Sequence, residues 1–176
     1  MCGFVGFLGG EIAKNSELAN ATLVSMATEI SSRGPDSSGS WSDVDSSIGM
    51  GHRRLSILDL SSSGHQPMAS KSCRYTIAFN GEIYNHLDLR CKLAEEMGDI
   101  SWLGTSDTET LLACIDRWGV HETLNQLVGM FAFSLWDDTG KILTLARDRI
   151  GEKPLYYGWQ GAGNDKVFLF GSDLKA

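Results

Sequence analysis

Basic residues are in short supply: 15 Lys plus Arg stand against 22 Asp plus Glu, a net charge of −7 over 176 residues. Such a chain carries no electrostatic footprint for a phosphate backbone or an anionic membrane surface, so no nucleic acid and no membrane is expected as a partner. Its only basic clusters are short, Arg53-Arg54 and Arg147 with Arg149. Long apolar runs are missing too. The opening MCGFVGFLGGE is apolar for too short a stretch and lacks a basic leader, which fits neither a signal peptide nor a membrane span, and a cytoplasmic location is expected. With 3 prolines, 42% hydrophobic and 21% charged residues, the composition excludes disorder, collagen and coiled coil. The four cysteines, Cys2, Cys73, Cys91 and Cys114, include no C-x-x-C pair, which argues against a zinc site and against a disulfide framework. The last three read as buried thiols in a reducing compartment.

Several chemical signatures are absent as well. There is no G-x-x-x-x-G-K-[ST] phosphate loop and no G-x-S-x-G elbow, and His121-Glu122 lacks a second His where Asn125 stands. Asp43, Asp45 and Ser47 imitate the start of a calcium loop, but Ile48 replaces the required Gly and Arg54 the bidentate Glu. The chain by itself offers no ATP, metal or dinucleotide site.

What is present suits one domain, at about 100–200 residues per domain. Residues 3–8 form a short apolar run between glycines, a candidate buried strand. From Glu17, Leu18, Ala21, Met26 and Ile30, with Leu23 and Ala27, recur at helical spacing up to the breaker Gly34-Pro35. A loop is expected at 33–39, extended chain at 47–60, and a strand at 74–79 ending at Asn80-Gly81. Tyr84 to Met97 reads as a helix. Ser106 and Glu109 have capping-box spacing, so a second helix should run to Trp118 and stop at Gly119. Met130–Trp136, a turn at 137–140 and Lys141–Arg147 predict a hairpin, with further strands at Leu155–Trp159 and Val167–Phe170. Ser172–Ala176 looks like the start of a helix. Strands at both ends with helices between them predict an α+β fold.

The chemistry gathers on Cys2. Removal of the initiator Met would leave a thiol and a free α-amine in one residue. An α-amine titrates near ~7.7–8.0 and a thiol near ~8.5, so the nucleophile would carry its own base. Taken alone, a second-position cysteine is also an ordinary packing residue. Asn80-Gly81 offers an amide side chain and a backbone N–H for a developing oxyanion, or else a plain hairpin turn. Arg54 presents a bidentate fork for an α-carboxylate, and Glu82 and Asp107 present carboxylates for an α-ammonium. Each has a bland alternative, a surface ion pair for Arg54 and the positive N-terminus of a helix for Asp107.

In conjunction these residues resemble a known family. MCGFVG at 1–6, RGPDSSG at 33–39, HRRLSILDLS at 52–61, GHQPM at 64–68, FNGEIYN at 79–85, SDTETLL at 106–112, GMFAFSLWD at 129–137, RDRIGEKPLYYG at 147–158 and FGSDLKA at 170–176 are similar to the glutaminase domain of asparagine synthetases. That domain is a class II glutamine amidotransferase of the N-terminal-nucleophile hydrolase superfamily. The resemblance implies a four-layer αββα sandwich, two antiparallel sheets between helix layers, over residues 2–176. It places the nucleophile on Cys2, the oxyanion donors on the Asn80 side chain and the Gly81 N–H, and the carboxylate-binding arginine on Arg54 instead of Arg53. Leu55 and Ile57 would border the glutamine through backbone groups, and Glu82 and Asp107 would hold its ammonium. The implied reaction is glutamine hydrolysis to glutamate and ammonia through a γ-glutamyl thioester on Cys2. The implied partners are L-glutamine and an ammonia-accepting synthetase domain or subunit. ATP and Mg²⁺ would belong to that C-terminal synthetase domain, whose S-G-G-x-D-S loop this chain lacks, so no cofactor is expected here. A homo-oligomer stays open. The alternative is a catalytically inactive module that binds glutamine or a partner, with Met1 retained.

Overall fold

The apolar run at the N-terminus shows no polar alternation because the strand it forms, β1 (Gly3–Gly9), is covered on both faces. Even-numbered Phe4 faces a second sheet, and odd-numbered Val5 and Phe7 face a helix, as the two-residue period of a strand requires. The structure, a computed structural model, describes residues 2–55 and 64–176. Among these are nine strands and four α-helices. One sheet combines β1 with β2 (Ser37–Asp43), β3 (Ile48–Arg54), β8 (Tyr156–Gln160) and β9 (Val167–Gly171) in the order β2-β3-β1-β9-β8. The other runs β4-β5-β6-β7, from β4 (Met68–Ala69), β5 (Tyr75–Ile83), β6 (Gly129–Asp137) and β7 (Ile142–Arg147). Every pairing is antiparallel.

Helix α1 (Ser16–Glu29) lies on β1, β2 and β3, while α3 (Asp107–Trp118) packs on β5 between α2 (His86–Met97) and α4 (Val120–Gln126). Phe4, Met50, Ala78, Trp136 and Phe170 fill the space between the sheets, and Ile77, Phe79, Leu111, Ile115 and Phe133 fill that between β5–β6 and their helices. This is the expected four-layer αββα sandwich. No helix among the described residues is long and apolar enough to cross a membrane.

The departures from expectation are local. Helix α1 stops at Glu29, followed by a 3-10 turn over Ser31–Arg33, and buries Ala19, Leu23, Ala27 and Ile30 while Leu18 and Ala21 face solvent. Its N-cap Asn15 accepts the Glu17 and Leu18 N–H groups, and this sets the helix phase. The loop expected at 33–39 gives way at Ser37 to β2, a polar strand that pairs along all of β3. Instead of ending at Asn80-Gly81, β5 continues through them to Ile83, paired with β6 throughout. The helix expected from Tyr84 starts at His86, and α4 was not expected at all. Residues 172–176 form a turn, with Asp173 Oδ1 accepting from Lys175 N–H, in place of a helix. Cys114 is buried, and burial pushes its thiol up to about 12, but Cys73 and Cys91 are exposed on a turn and on the outer side of α2.

Candidate active site

Cys2 stands one residue before β1 at the end of the inter-sheet space, half-buried. Its Sγ accepts the Leu55 N–H at 3.3 Å and lies 3.5 Å from the Leu55 carbonyl oxygen, so the residue after β3 holds it from both sides. A cavity of about 120 Å³ opens beside it, lined also by Arg54, Leu55, Asn80, Gly81, Glu82 and Asp107. The structure thus brings together every expected site residue except Ile57, which lies outside the described residues, as does Met1. Neighbouring Arg53 points elsewhere, since side chains alternate along β3, and donates from Nε to the Gly34 carbonyl at 3.0 Å. Gly64 packs against the Arg54 guanidinium, and a Cβ there would collide with Nη2.

The free edge of β5 organises the site. Strand β4 covers it only at Thr76 and Ile77. Beyond, the Phe79 N–H donates to Gln66 Oε1 at 2.6 Å and the Phe79 carbonyl bonds His52 Nε2 at 2.9 Å, so Phe79 exchanges no ladder bonds with Phe133 opposite it. Four residues on, Ile83 N–H donates to Asp107 Oδ2 at 2.8 Å from the same edge. Antiparallel ladders alternate with period two, so the Gly81 N–H between them faces that edge and the cavity. Gly81 must be glycine: a Cβ would strike the Met130 carbonyl and stand 2.7 Å from Phe131 Cα. Even-numbered Asn80 turns its side chain to the inter-sheet face where Phe4 and Cys2 lie. It is 1% exposed, and its Nδ2 has no hydrogen-bond partner among the described residues. A buried unpaired amide costs about 1–3 kcal/mol, an expense kept where an acceptor is to arrive.

Charge at the site is balanced, with Arg54 and Lys153 against Glu82 and Asp107. Asp107 is the first residue of α3, with Ser106 capping that helix through Thr108 N–H at 3.2 Å. Burial lifts the Asp107 carboxyl above its ordinary range and Glu82 adds to this, while the Ile83 N–H and His86 pull it back. Ser106 caps the helix, but the reciprocal bonds of the expected capping box do not form, since Ser106 takes the Thr108 N–H in place of the Glu109 N–H. Glu109 reaches past Ser106 to the Leu103 and Gly104 N–H groups, because the loop before α3 folds back under Arg90, whose guanidinium stacks on Trp102 and donates to the Gly104 and Ser106 carbonyls.

The sequence points to no role for Gln66 or Thr108, and Lys153 lies in RDRIGEKPLYY, which reads as structural or as a domain interface; all three line the cavity. Gln66 sits in GHQPM and Lys153 in the stretch after β7, so the only signal was membership of a motif. Lys153 is brought inward by a tight loop in which the Asp148 carboxylate accepts the Phe131, Glu152 and Lys153 N–H groups and Arg147 Nε donates to the Lys153 carbonyl at 2.6 Å. His52, 1% exposed, is held near pH 4 by burial, and its Nε2 carries the proton because a carbonyl only accepts. It ties the two sheets together through the Phe79 carbonyl.

The family model described as "Glutamine amidotransferase domain" matches residues 1–176. "Asparagine synthetase [glutamine-hydrolyzing] 3" of Bacillus subtilis is 39% identical over 178 residues, covering 100% of this chain and 27% of that protein. "Amidase chyE" of Penicillium rubens is 40% identical over 166 residues, 89% of this chain and 24% of its own length. The chain therefore spans about a quarter of the length of these curated relatives. The solved structure of glutamine phosphoribosylpyrophosphate amidotransferase from B. subtilis, complexed with ADP and GMP, superposes with a TM-score of 0.74 at 22% identity, over 97% of this chain and 42% of that one, and shows the same fold.

Proposed function

The chain belongs to the glutamine amidotransferase domain family, and on that premise we propose that it hydrolyses glutamine to glutamate and ammonia with Cys2 as nucleophile. The observation that carries the reading is the buried Asn80 Nδ2, without a hydrogen-bond partner among the described residues, in the wall of the cavity that holds the Cys2 thiol. Arg54 takes the substrate α-carboxylate in a bidentate fork, and Asp107 with Glu82 takes the α-ammonium, which fixes the γ-amide over Cys2. With Met1 removed, the Cys2 α-amine accepts the thiol proton and the sulfur attacks the γ-carbonyl carbon. Asn80 Nδ2–H and Gly81 N–H hold the oxyanion of the tetrahedral intermediate. As that intermediate collapses, the C–N bond breaks and the amide nitrogen leaves as ammonia with the proton from the ammonium. The γ-glutamyl thioester is then attacked by water, the α-amine again taking a proton, and glutamate departs from a restored thiol.

In a longer protein of the relatives' length, the ammonia passes to a synthetase portion that amidates aspartate; ATP and Mg²⁺ belong to that portion. The test is ammonia release from glutamine by the purified chain, with hydroxylamine added to trap the thioester as γ-glutamyl hydroxamate and intact mass of the N-terminus measured alongside. Hydroxamate and ammonia from a chain that begins at Cys2 are expected. Glutamine binding without either product, in a chain that begins at Cys2, would make this a binding module.

A further inference from the structure

Residues 80–82 are enclosed by a ring of hydrogen bonds that closes through a side chain to which the glutaminase reading gives no task. The Phe79 N–H donates to Gln66 Oε1 at 2.6 Å, Gln66 Nε2 donates to Thr108 Oγ1 at 3.4 Å, and Thr108 Oγ1 donates to Asp107 Oδ1 at 3.5 Å. Asp107 Oδ2 returns to the strand at Ile83 N–H, 2.8 Å away. Gln66 and Thr108 are 6% and 2% exposed, so these bonds lie in a low-dielectric setting that strengthens them. The ring has a direction. Because the Phe79 N–H only donates, the Gln66 amide must present oxygen to it and N–H to Thr108, which leaves the hydroxyl proton for the carboxylate. The two links through Thr108 are long, as active-site hydrogen bonds often are before a ligand tightens them. The backbone of Gln66 is itself pinned, since its carbonyl lies where a Cβ on Gly39 would fall.

We propose that Gln66 is a positioning residue that couples the strand carrying the oxyanion donors to the carboxylate that receives the substrate ammonium. The inference rests on the glutaminase reading for its catalytic consequence and on the ring geometry alone for the coupling. Three variants of the full chain test it: Gln66→Glu, Thr108→Val and Thr108→Ser. Gln66→Glu still accepts from Phe79 but has no proton for Thr108, so the hydroxyl turns away from Asp107 and a like charge arrives near it. Thr108→Val removes the link, and Thr108→Ser keeps it.

The readout is the Asp107 carboxyl followed by carbon-13 NMR titration, together with kcat and KM against pH. The other charged groups about Asp107 are Glu82 on β5, His86 and Arg90 on α2, and Arg54 and Lys153 in the cavity wall, and none changes among the variants. Gln66→Glu and Thr108→Val are expected to move the Asp107 titration to higher pH and to lower kcat/KM by roughly tenfold to hundredfold, the loss that follows small misplacements of reacting groups. Thr108→Ser is expected to restore both. An Asp107 titration that stays put in Gln66→Glu, with loss of thermal stability only, overturns the coupling. If Gln66→Glu does not fold, the Thr108→Val and Thr108→Ser pair decides by the same titration. A wild-type chain that begins at Cys2 and releases no ammonia sinks the glutaminase reading, and the titration still decides the coupling.

Discussion

Two of the sheet edges that β pairing leaves open, that of β5 beyond β4 and that of β8, are finished in opposite ways. Along β5 beyond β4, the exposed backbone groups are met one by one by buried polar side chains drawn from distant segments, His52 and Gln66 at Phe79 and Asp107 at Ile83. Among the described residues, the Gly81 N–H between them is left unmet. Along β8, the outer strand of the five-stranded sheet, all five residues are exposed, and Tyr157 and Trp159 lie with Phe168 in an aromatic row with centroids 5.1–6.0 Å apart. One edge is polar, buried and shaped around an opening, and the other is apolar and uncovered. The candidate catalytic edge thus differs from the other by groups that satisfy its backbone without closing it, not by exposure.

The largest effects belong to the first edge and the thiol beside it. Cys2→Ala is expected to abolish glutamine hydrolysis, by at least ~10³-fold in kcat, with a melting temperature close to wild type because the thiol is only half-buried. Turnover retained in that variant would break the site reading. Asn80→Ala should lower kcat by about 10²–10³-fold with a smaller change in KM, the signature of a lost oxyanion donor. It should also relieve an unpaired buried amide, so stability is expected to fall less than for an ordinary buried asparagine, and thermal melts measure this.

How far the sequence revealed these edges differs too. Strong periods and caps were legible: α3 begins after Ser106 and stops at Gly119, and the β6–β7 hairpin turns at residues 137–140. Strand β2 was hidden because SSGSWSD has neither apolar alternation nor strand propensity and is held by pairing with β3. Asn80-Gly81 carries the local signal of a turn, and the pairing of β6 along the whole of β5 overrides it. Cys73 and Cys91 were read as buried from residue type alone, whereas burial follows position on an element. The candidate site residues that line one cavity were legible because each has a chemistry that a motif placed. Gln66 was not, because an amide that bonds a backbone N–H thirteen positions away leaves no local pattern.

Asp107 sharpens the contrast through pH. Burial raises its folded pKa above the ordinary 3.8, so the ionised carboxylate destabilises the free protein. The sign follows: its contribution to stability is greatest below that window and falls as pH rises through it. Asp107→Asn is therefore expected to hold or raise the melting temperature at neutral pH while costing about 2–4 kcal/mol in kcat/KM for glutamine. In the wild-type chain KM should rise as pH falls toward the raised value, since a protonated carboxyl does not pair with an ammonium. A melting temperature that drops steeply in Asp107→Asn would show that the carboxylate is structural. Arg54→Lys keeps the charge and loses the fork, for about 1.5–3 kcal/mol seen mainly in KM, whereas Arg53→Lys should leave KM near wild type because Arg53 is bonded to Gly34.

The smallest effect is expected at the other edge, and it tests the comparison from its far side. Trp159 is 61% exposed and stacks on Phe168 at 5.1 Å, so Trp159→Ser removes one aromatic contact worth about 0.5–1.5 kcal/mol and no buried core. It lies outside the cavity that holds Cys2, so kcat and KM for glutamine should stay within about twofold of wild type. Removing an apolar ring from an uncovered row should also lower any concentration-dependent light scattering, because contiguous exposed apolar surface drives association. A fall in kcat comparable to that of Asn80→Ala would break the division between the edges. It would mean that β8 acts on the site through β9, which pairs directly with β1, the strand that presents Cys2.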